Sequence, residues 1–69
     1  MRLRGEAYSE RLEAYSTSTL ELMAELDMYG KEMTLKKTDI TTDSELSEEQ
    51  VVEKLLELKR SYLEQTVKR

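Results

Sequence analysis

The residues of this chain that could do chemistry are mainly carboxylates, because the sequence contains no histidine and no cysteine. Glu21 and Glu25 are one helical turn apart, and Glu49, Glu53 and Glu57 form a longer row at the same spacing. Such rows could bind a divalent cation through oxygen ligands. The Glu-x-x-His partners of the di-metal sites in helical bundles are missing, however. We therefore interpret both rows as solvated acidic faces and predict neither a metal nor a cofactor.

The chain also lacks histidine and cysteine, the usual residues of catalysis without a metal. Catalysis needs a positioned acid, base or nucleophile, and carboxylates, lysines, tyrosines and Ser/Thr hydroxyls are the only candidates here. None of them has a recognisable arrangement. Gly5 and Gly30 are isolated, so the chain has no glycine-rich phosphate loop. The sequence therefore predicts a protein that is not an enzyme and has no small-molecule substrate.

The clearest element is a helix predicted over about residues 47–68. Ser47 and Gln50 have the spacing of a capping box, and Leu46 and Val51 have that of a hydrophobic staple. Apolar residues then recur at steps of three and four, which places them on one broad helical face. One edge of this face is Val51, Leu55, Leu58 and Tyr62, and the other includes Val52, Leu56 and Leu63. A single hairpin would leave one edge exposed, as at an interaction site.

A seven-residue recurrence of apolar residues predicts another long helix, over about residues 3–34. Its tyrosines could form an aromatic platform for a ligand or for nucleic-acid bases, but we prefer a packed seam with phenolic ends at the solvent edge. The recurrence is carried by Tyr8, Tyr15, Leu22 and Tyr29 at one position and by Leu12, Leu26 and Met33 at the other.

Two features could interrupt this helix. The hydroxyl residues 16–19 compete for backbone hydrogen bonds, and Ser18 with Glu21 could form a second capping box, giving three helices in all. Gly30 is a candidate terminator, although favourable charge pairs would extend the helix to about Lys36. Because the seven-residue phase runs through the hydroxyls without a skip, we predict one helix that bends or weakens there. A polar connector over about 37–46 follows it.

Length and composition limit what these helices can form. The 69 residues allow one domain, residues 1–69, without disulfides, and a core of this size rarely contributes more than about 3–5 kcal/mol. We therefore predict an all-α antiparallel helical hairpin that pairs with a second copy into a dimeric four-helix bundle. Disorder until a partner binds is the alternative, because 38% of the residues are charged.

The same composition bears on the location of the protein. No apolar run approaches the roughly 18 residues that a membrane span needs. The first residues, MRLRGEAY, are too few and too polar for a signal peptide. We therefore predict a cytoplasmic protein without a membrane partner.

The function predicted from these features is that of a small acidic protein–protein interaction module, regulatory or adaptor in role. Its apolar edge would supply burial, and flanking charges would select the partner and its orientation. The predicted contact residues, for self-association or for another protein, are Tyr8, Leu12, Tyr15, Leu22, Leu26, Tyr29, Val52, Leu55, Leu56, Tyr62 and Leu63.

The alternative is a regulator that binds nucleic acid. Two helices joined by a polar connector resemble the small antiparallel hairpins that dimerise into four-helix bundles, such as those of the Rop type, which bind RNA; the resemblance is one of plan without a shared motif. An antiparallel hairpin would bring its basic termini together. The contacts would then come from Arg2, Arg4, Lys59, Arg60, Lys68 and Arg69. A net charge of −4 argues against this hypothesis, since nucleic-acid binders are usually basic.

Overall fold

The computed structural model describes residues 2–67, and this part of the chain is all-α. Its four helices are α1 (Gly5–Ala14), α2 (Thr17–Met28), α3 (Lys31–Thr41) and α4 (Glu48–Val67). None of these helices combines the length and the apolar character that a membrane crossing requires.

The start of α4 confirms the predicted capping box. The Ser47 amide donates a hydrogen bond to Gln50 Oε1 at 2.9 Å, and the Gln50 amide donates to Ser47 Oγ at 3.3 Å. Leu46, the residue before the cap, packs against the buried cluster that contains Val51. Local sequence therefore determines where α4 begins; its predicted end at residue 68 lies outside the described residues.

Ser16 makes the first break in the N-terminal segment. Its backbone is extended (φ −69°, ψ 159°), and its hydroxyl accepts a hydrogen bond from the Thr19 amide at 3.4 Å. A cap of this kind satisfies one of the free N–H groups of the first helical turn. The hydroxyl cluster therefore starts a new helix, with Ser16 as the cap in place of the Ser18 of the three-helix alternative.

Gly30 makes the second break. Its φ of +133° and ψ of 174° lie in a region that is essentially restricted to glycine, so α2 cannot continue through it. The prediction of one helix over residues 3–34 is therefore wrong. The predicted connector over 37–46 is wrong as well, because α3 runs to Thr41 and only residues 42–47 connect α3 to α4.

The helices α2 and α4 lie side by side and run in the same direction. Near their starts, Thr19 Oγ1 donates to Glu48 Oε2 at 2.7 Å, and further along Lys59 Nζ lies 3.0 Å from Glu25 Oε2. This parallel pair differs from the antiparallel hairpin predicted for two long helices. The break at Gly30 is the reason, since it makes α3 a separate helix between α2 and α4.

The core lies between α2, α3 and α4. Leu26, Val51 and Leu55 are completely buried, and the buried cluster also includes Tyr15, Met23 and Met33. Several predicted contact residues are half-buried and pack against this cluster, namely Leu12, Leu22, Tyr29 and Tyr62. One copy of the chain is therefore enough to bury the central positions.

Candidate functional site

A groove of about 790 Å³ runs along the surface between α2 and α4, and we call it the α2–α4 groove. We call its apolar lining residues the floor: Leu22 and Val52 are half-buried, and Leu56 is 49% exposed. Five carboxylates and one lysine also line the groove, and we call them the rim. These rim residues are Glu21, Glu25, Glu48, Glu49, Glu53 and Lys59.

The groove exists because α4 is apolar on two adjacent edges. The edge with Val51 and Leu55 packs into the core and is completely buried at these two residues. The other edge, with Val52 and Leu56, lies beside α2 and lines the groove. Leu63, one turn or more beyond the groove, is 42% exposed. The fold thus leaves the second apolar edge of α4 partly uncovered.

Glu48 holds the start of α4 to the start of α2. Its Oε2 accepts hydrogen bonds from the Ser16 amide at 3.0 Å and from Thr19 Oγ1 at 2.7 Å. These bonds favour the ionised carboxylate, so the pKa of Glu48 is lowered, with the Ser16 backbone bond as the largest cause. A carboxylate at a helix N-terminus is also favoured by the helix dipole.

Glu25 is engaged at the other end of the groove. The Tyr29 hydroxyl donates to Glu25 Oε2 at 2.5 Å, and Lys59 Nζ donates to Glu25 Oε1 at 3.1 Å. The pKa of Glu25 is lowered, first by the Tyr29 bond and then by the Lys59 bond. The same bond raises the pKa of Tyr29 to about 12. The Tyr29 ring in turn stacks on Tyr62 with centroids 4.3 Å apart.

The remaining carboxylates of the rim are free. Within residues 2–67, Glu21, Glu49 and Glu53 have no ion-pair or hydrogen-bond partner, and all three are exposed. The described part of the chain also contains no group of three or more acidic side chains arranged to hold a metal ion. The rim therefore presents negative charge that the protein does not neutralise.

A second polar network, which sequence reasoning missed, centres on Arg11. Its Nη1 donates to the carbonyls of Thr41 at 2.9 Å and of Asp43 at 2.7 Å, and its Nη2 donates to the carbonyl of Leu46. The Tyr8 hydroxyl lies 3.0 Å from Thr41 Oγ1 in the same place. We call this region, where α1 meets the end of α3 and the connection to α4, the α1 seam. Its acceptors are backbone carbonyls, which carry no sequence signature.

Two buried polar groups differ from the prediction: Lys37 was not among the predicted contact residues, and the hydroxyl of Tyr15, a residue of the predicted seam, was expected at the solvent edge. Lys37 is buried, and its ammonium lies 2.8 Å from Asp27 Oδ1. The Tyr15 hydroxyl is buried without a hydrogen-bond partner in the described part of the chain. Burial raises the pKa of Tyr15. Both groups lie under the surface and form no part of the groove.

The described residues predicted for nucleic-acid contact lie before α1 and on α4. Arg2 pairs with Asp39 near the end of α3, whereas Lys59 pairs with Glu25 on α2. Arg4 and Arg60 are exposed. Lys68 and Arg69 lie outside the described residues. Arg2 and Lys59 are thus each paired with a carboxylate of the protein itself.

No protein-family model matches this chain, and neither a curated protein nor a solved structure is significantly similar to it. Fold and groove together define a small all-α protein with an open apolar groove that has an acidic rim.

Proposed function

We propose that the protein binds another protein through the α2–α4 groove, as a small regulatory or adaptor module. The position of the partly exposed Leu56 in the groove, together with Leu22 and Val52, is the observation that carries this proposal. Leu56 is 49% exposed in the groove, whereas the adjacent Leu55 is completely buried in the core. An apolar surface bordered by polar residues and lying between two helices is typical of a protein-interaction site.

The polar groups of the groove support binding over catalysis. Glu48 and Glu25, the two carboxylates that make hydrogen bonds, use them to hold α2 against α4. The hydrogen bonds that lower their pKa values disfavour the protonated form that a general acid needs, and they also make these carboxylates weaker bases. The groove is therefore better suited to holding a partner than to transferring a proton.

A second copy of the chain is the competing occupant, and a dimeric four-helix bundle stays a prediction. Two observations favour a different protein. One copy already buries Leu26, Val51 and Leu55 completely. Two grooves that faced each other would also bring two negatively charged rims together, which opposes association. The cytoplasm remains the predicted location of both assemblies.

Site-specific photo-crosslinking tests this proposal. A photoreactive amino acid is placed at position 56, in the groove, in the protein expressed in the cells from which the sequence comes. The matched control carries the same amino acid in place of Leu35, which is 66% exposed on α3 and does not line the groove. We expect a discrete adduct with one other protein at position 56 and none of this adduct at position 35.

Three outcomes of the crosslinking would contradict the proposal. These are the absence of a discrete adduct at position 56, the same set of adducts at both positions, and an adduct of two copies of this chain. The last result would assign the groove to self-association. Sedimentation equilibrium over a wide concentration range would then measure the strength of the dimer.

A further inference from the structure

The net charge of the protein is concentrated at the α2–α4 groove. The chain has 15 acidic and 11 basic residues, and five of the acidic residues and one basic residue line the groove. Residues 2–67 contain 15 acidic and nine basic residues, so ten acidic and eight basic residues of this part of the chain lie outside the groove. The groove therefore carries −4 of the net charge of −6 of residues 2–67, and a positively charged partner would be attracted to it.

The lysine of the rim does not neutralise the groove for a partner. Lys59 is already paired with Glu25, and Glu48 is already bonded to the start of α2. The free carboxylates of Glu21 on one side and of Glu49 and Glu53 on the other therefore flank the apolar floor. Cationic side chains that lie on both sides of an apolar stripe would match this arrangement.

The shape of the groove suits a helix. Its lining runs from Ser16, the cap of α2, to Glu25 and from Glu48 to Lys59 on α4, a length of about 14–17 Å at a rise of about 1.5 Å per residue. Helices pack with axes about 8–10 Å apart, so two parallel helices offer a seat for a third. Val52 and Leu56 lie one turn apart, which is the spacing of apolar residues along such a partner.

From these observations we infer that the partner presents a basic amphipathic α-helix of about three turns, an inference that rests on the proposed function. Its apolar residues, at steps of three and four, would cover Leu22, Val52 and Leu56. Its lysines or arginines would reach the carboxylates of the rim while their aliphatic stems cover apolar surface. The occupant is thus a cationic helix of a different protein, because a second copy would bring the same negative rim.

Three synthetic peptides of about 12 residues test the inference by fluorescence anisotropy. The first has leucines at steps of three and four flanked by lysines. The second replaces each lysine by glutamate, and the third has the composition of the first in an order that is not amphipathic. We expect the first peptide to bind at least about tenfold more tightly than the other two, with an affinity that falls as salt is added.

Charge variants of the protein locate the binding. The variant Glu49→Gln/Glu53→Gln should bind the cationic peptide about fivefold more weakly than the wild type, since each exposed ion pair contributes modestly. The matched control is Glu10→Gln/Glu13→Gln, which removes two exposed carboxylates from α1 and should leave the affinity unchanged. Both pairs lie on helix surfaces, and circular dichroism checks that both variants fold.

The inference is overturned if the glutamate peptide or the reordered peptide binds as tightly as the cationic one, or if the two double variants bind equally. It is also overturned if the protein sediments as a dimer that the cationic peptide does not dissociate. The crosslinking at position 56 is read independently of the peptides. A specific adduct there with failed peptide binding would retain the proposed function and reject the cationic helix.

Discussion

The α1 seam and the α2–α4 groove are two junctions between helices that present oxygen acceptors, and they differ in where the matching cation comes from. In the α1 seam, Arg11 supplies it, and its guanidinium donates to three backbone carbonyls. In the groove, Lys59 reaches Glu25, while Glu21, Glu49 and Glu53 have no partner among residues 2–67. The seam is closed by the chain itself, and the groove is left open to another molecule.

The chemistry of the two cations explains this difference. Arginine presents five donors in a rigid fork and can satisfy several carbonyls together, including that of Thr41 at the negative end of the α3 dipole. The single ammonium of Lys59 meets a single carboxylate. The closed seam stabilises the fold, whereas the open groove would stabilise the complex that we propose. Variants in the two regions should therefore change different measurable quantities.

The largest expected effect is a difference in stability between variants of two adjacent residues, Leu55 in the core and Leu56 in the groove. Leu55→Ala should lower the free energy of unfolding by about 2–5 kcal/mol, because it leaves a cavity in the core. Leu56→Ala removes a half-exposed side chain and should cost less than about 1 kcal/mol. Urea unfolding measures both, and Leu55→Met is the fallback if the alanine variant does not fold. Equal losses of unfolding free energy for the two alanine variants would contradict the assignment of Leu55 to the core and of Leu56 to the groove.

Arg11→Ala should weaken the closed seam without changing the groove. The loss of charge-assisted hydrogen bonds to backbone carbonyls should lower the free energy of unfolding by about 1.5–3 kcal/mol. Arg11→Lys keeps the charge but loses the fork, so most of this loss should persist. The affinity for the cationic peptide should stay the same in both variants. Peptide binding that weakens with Arg11→Lys would show that the two regions are coupled.

The smallest expected effect concerns the pH dependence of stability at the rim. The pKa of Glu48 is lowered from its ordinary value of 4.5 by the hydrogen bonds from Ser16 and Thr19. The stability that these bonds contribute is therefore present above about pH 4.5 and is lost as the pH falls through the lowered pKa. The unfolding temperature of Glu48→Gln should therefore be lower than that of the wild type at neutral pH, and the two temperatures should converge in acid.

Glu49→Gln is the matched control, since Glu49 lies next in the chain and makes no hydrogen bond within residues 2–67. Its unfolding temperature should fall less than that of Glu48→Gln at neutral pH, because Glu49→Gln loses only the interaction of a first-turn carboxylate with the helix dipole. A difference between Glu48→Gln and the wild type that persists unchanged into acid would show that the ionised Glu48 carboxylate does not hold α2 to α4.

The parts of the fold that local sequence determines were predictable. The reciprocal bonds of Ser47 and Gln50 follow from their spacing, and the two apolar edges of α4 follow from its periodicity. Of these edges, the one with Leu55 is buried and the one with Leu56 is partly exposed. A helix cap and a helical face depend only on residues within one or two turns.

The breaks in the N-terminal segment were predicted wrongly because serine caps, which favour a break, competed with the apolar spacing, which favours a continuous helix. Ser16 and Ser18 can both cap a helix, and the seven-residue phase of the tyrosines favoured no break at all. Helix α2 ends at Met28 and α3 begins after Gly30, whose φ of +133° is available to glycine. Tyr15 and Tyr29 keep the seven-residue spacing although they lie in different helical segments. They do so because both pack at the same core, which does not require a continuous helix.

The groove itself was beyond sequence reasoning. The carboxylate rows with Glu21 and Glu25 and with Glu49 and Glu53 were both visible in the sequence. Whether they border the same groove depends on the direction of α4 relative to α2, and that direction follows from the break between α2 and α3. Arg11 was missed for a related reason, since its partners are backbone carbonyls that any sequence supplies.

The most direct test of the account is a map of amide chemical shifts in the ¹⁵N-labelled protein during titration with the cationic peptide. We predict changes concentrated at residues 19–25 of α2 and 49–56 of α4, with little change at Arg11 and at residues 41–46 of the α1 seam. Changes centred on the seam, or spread evenly over all four helices, would contradict the assignment of the α2–α4 groove as the binding site.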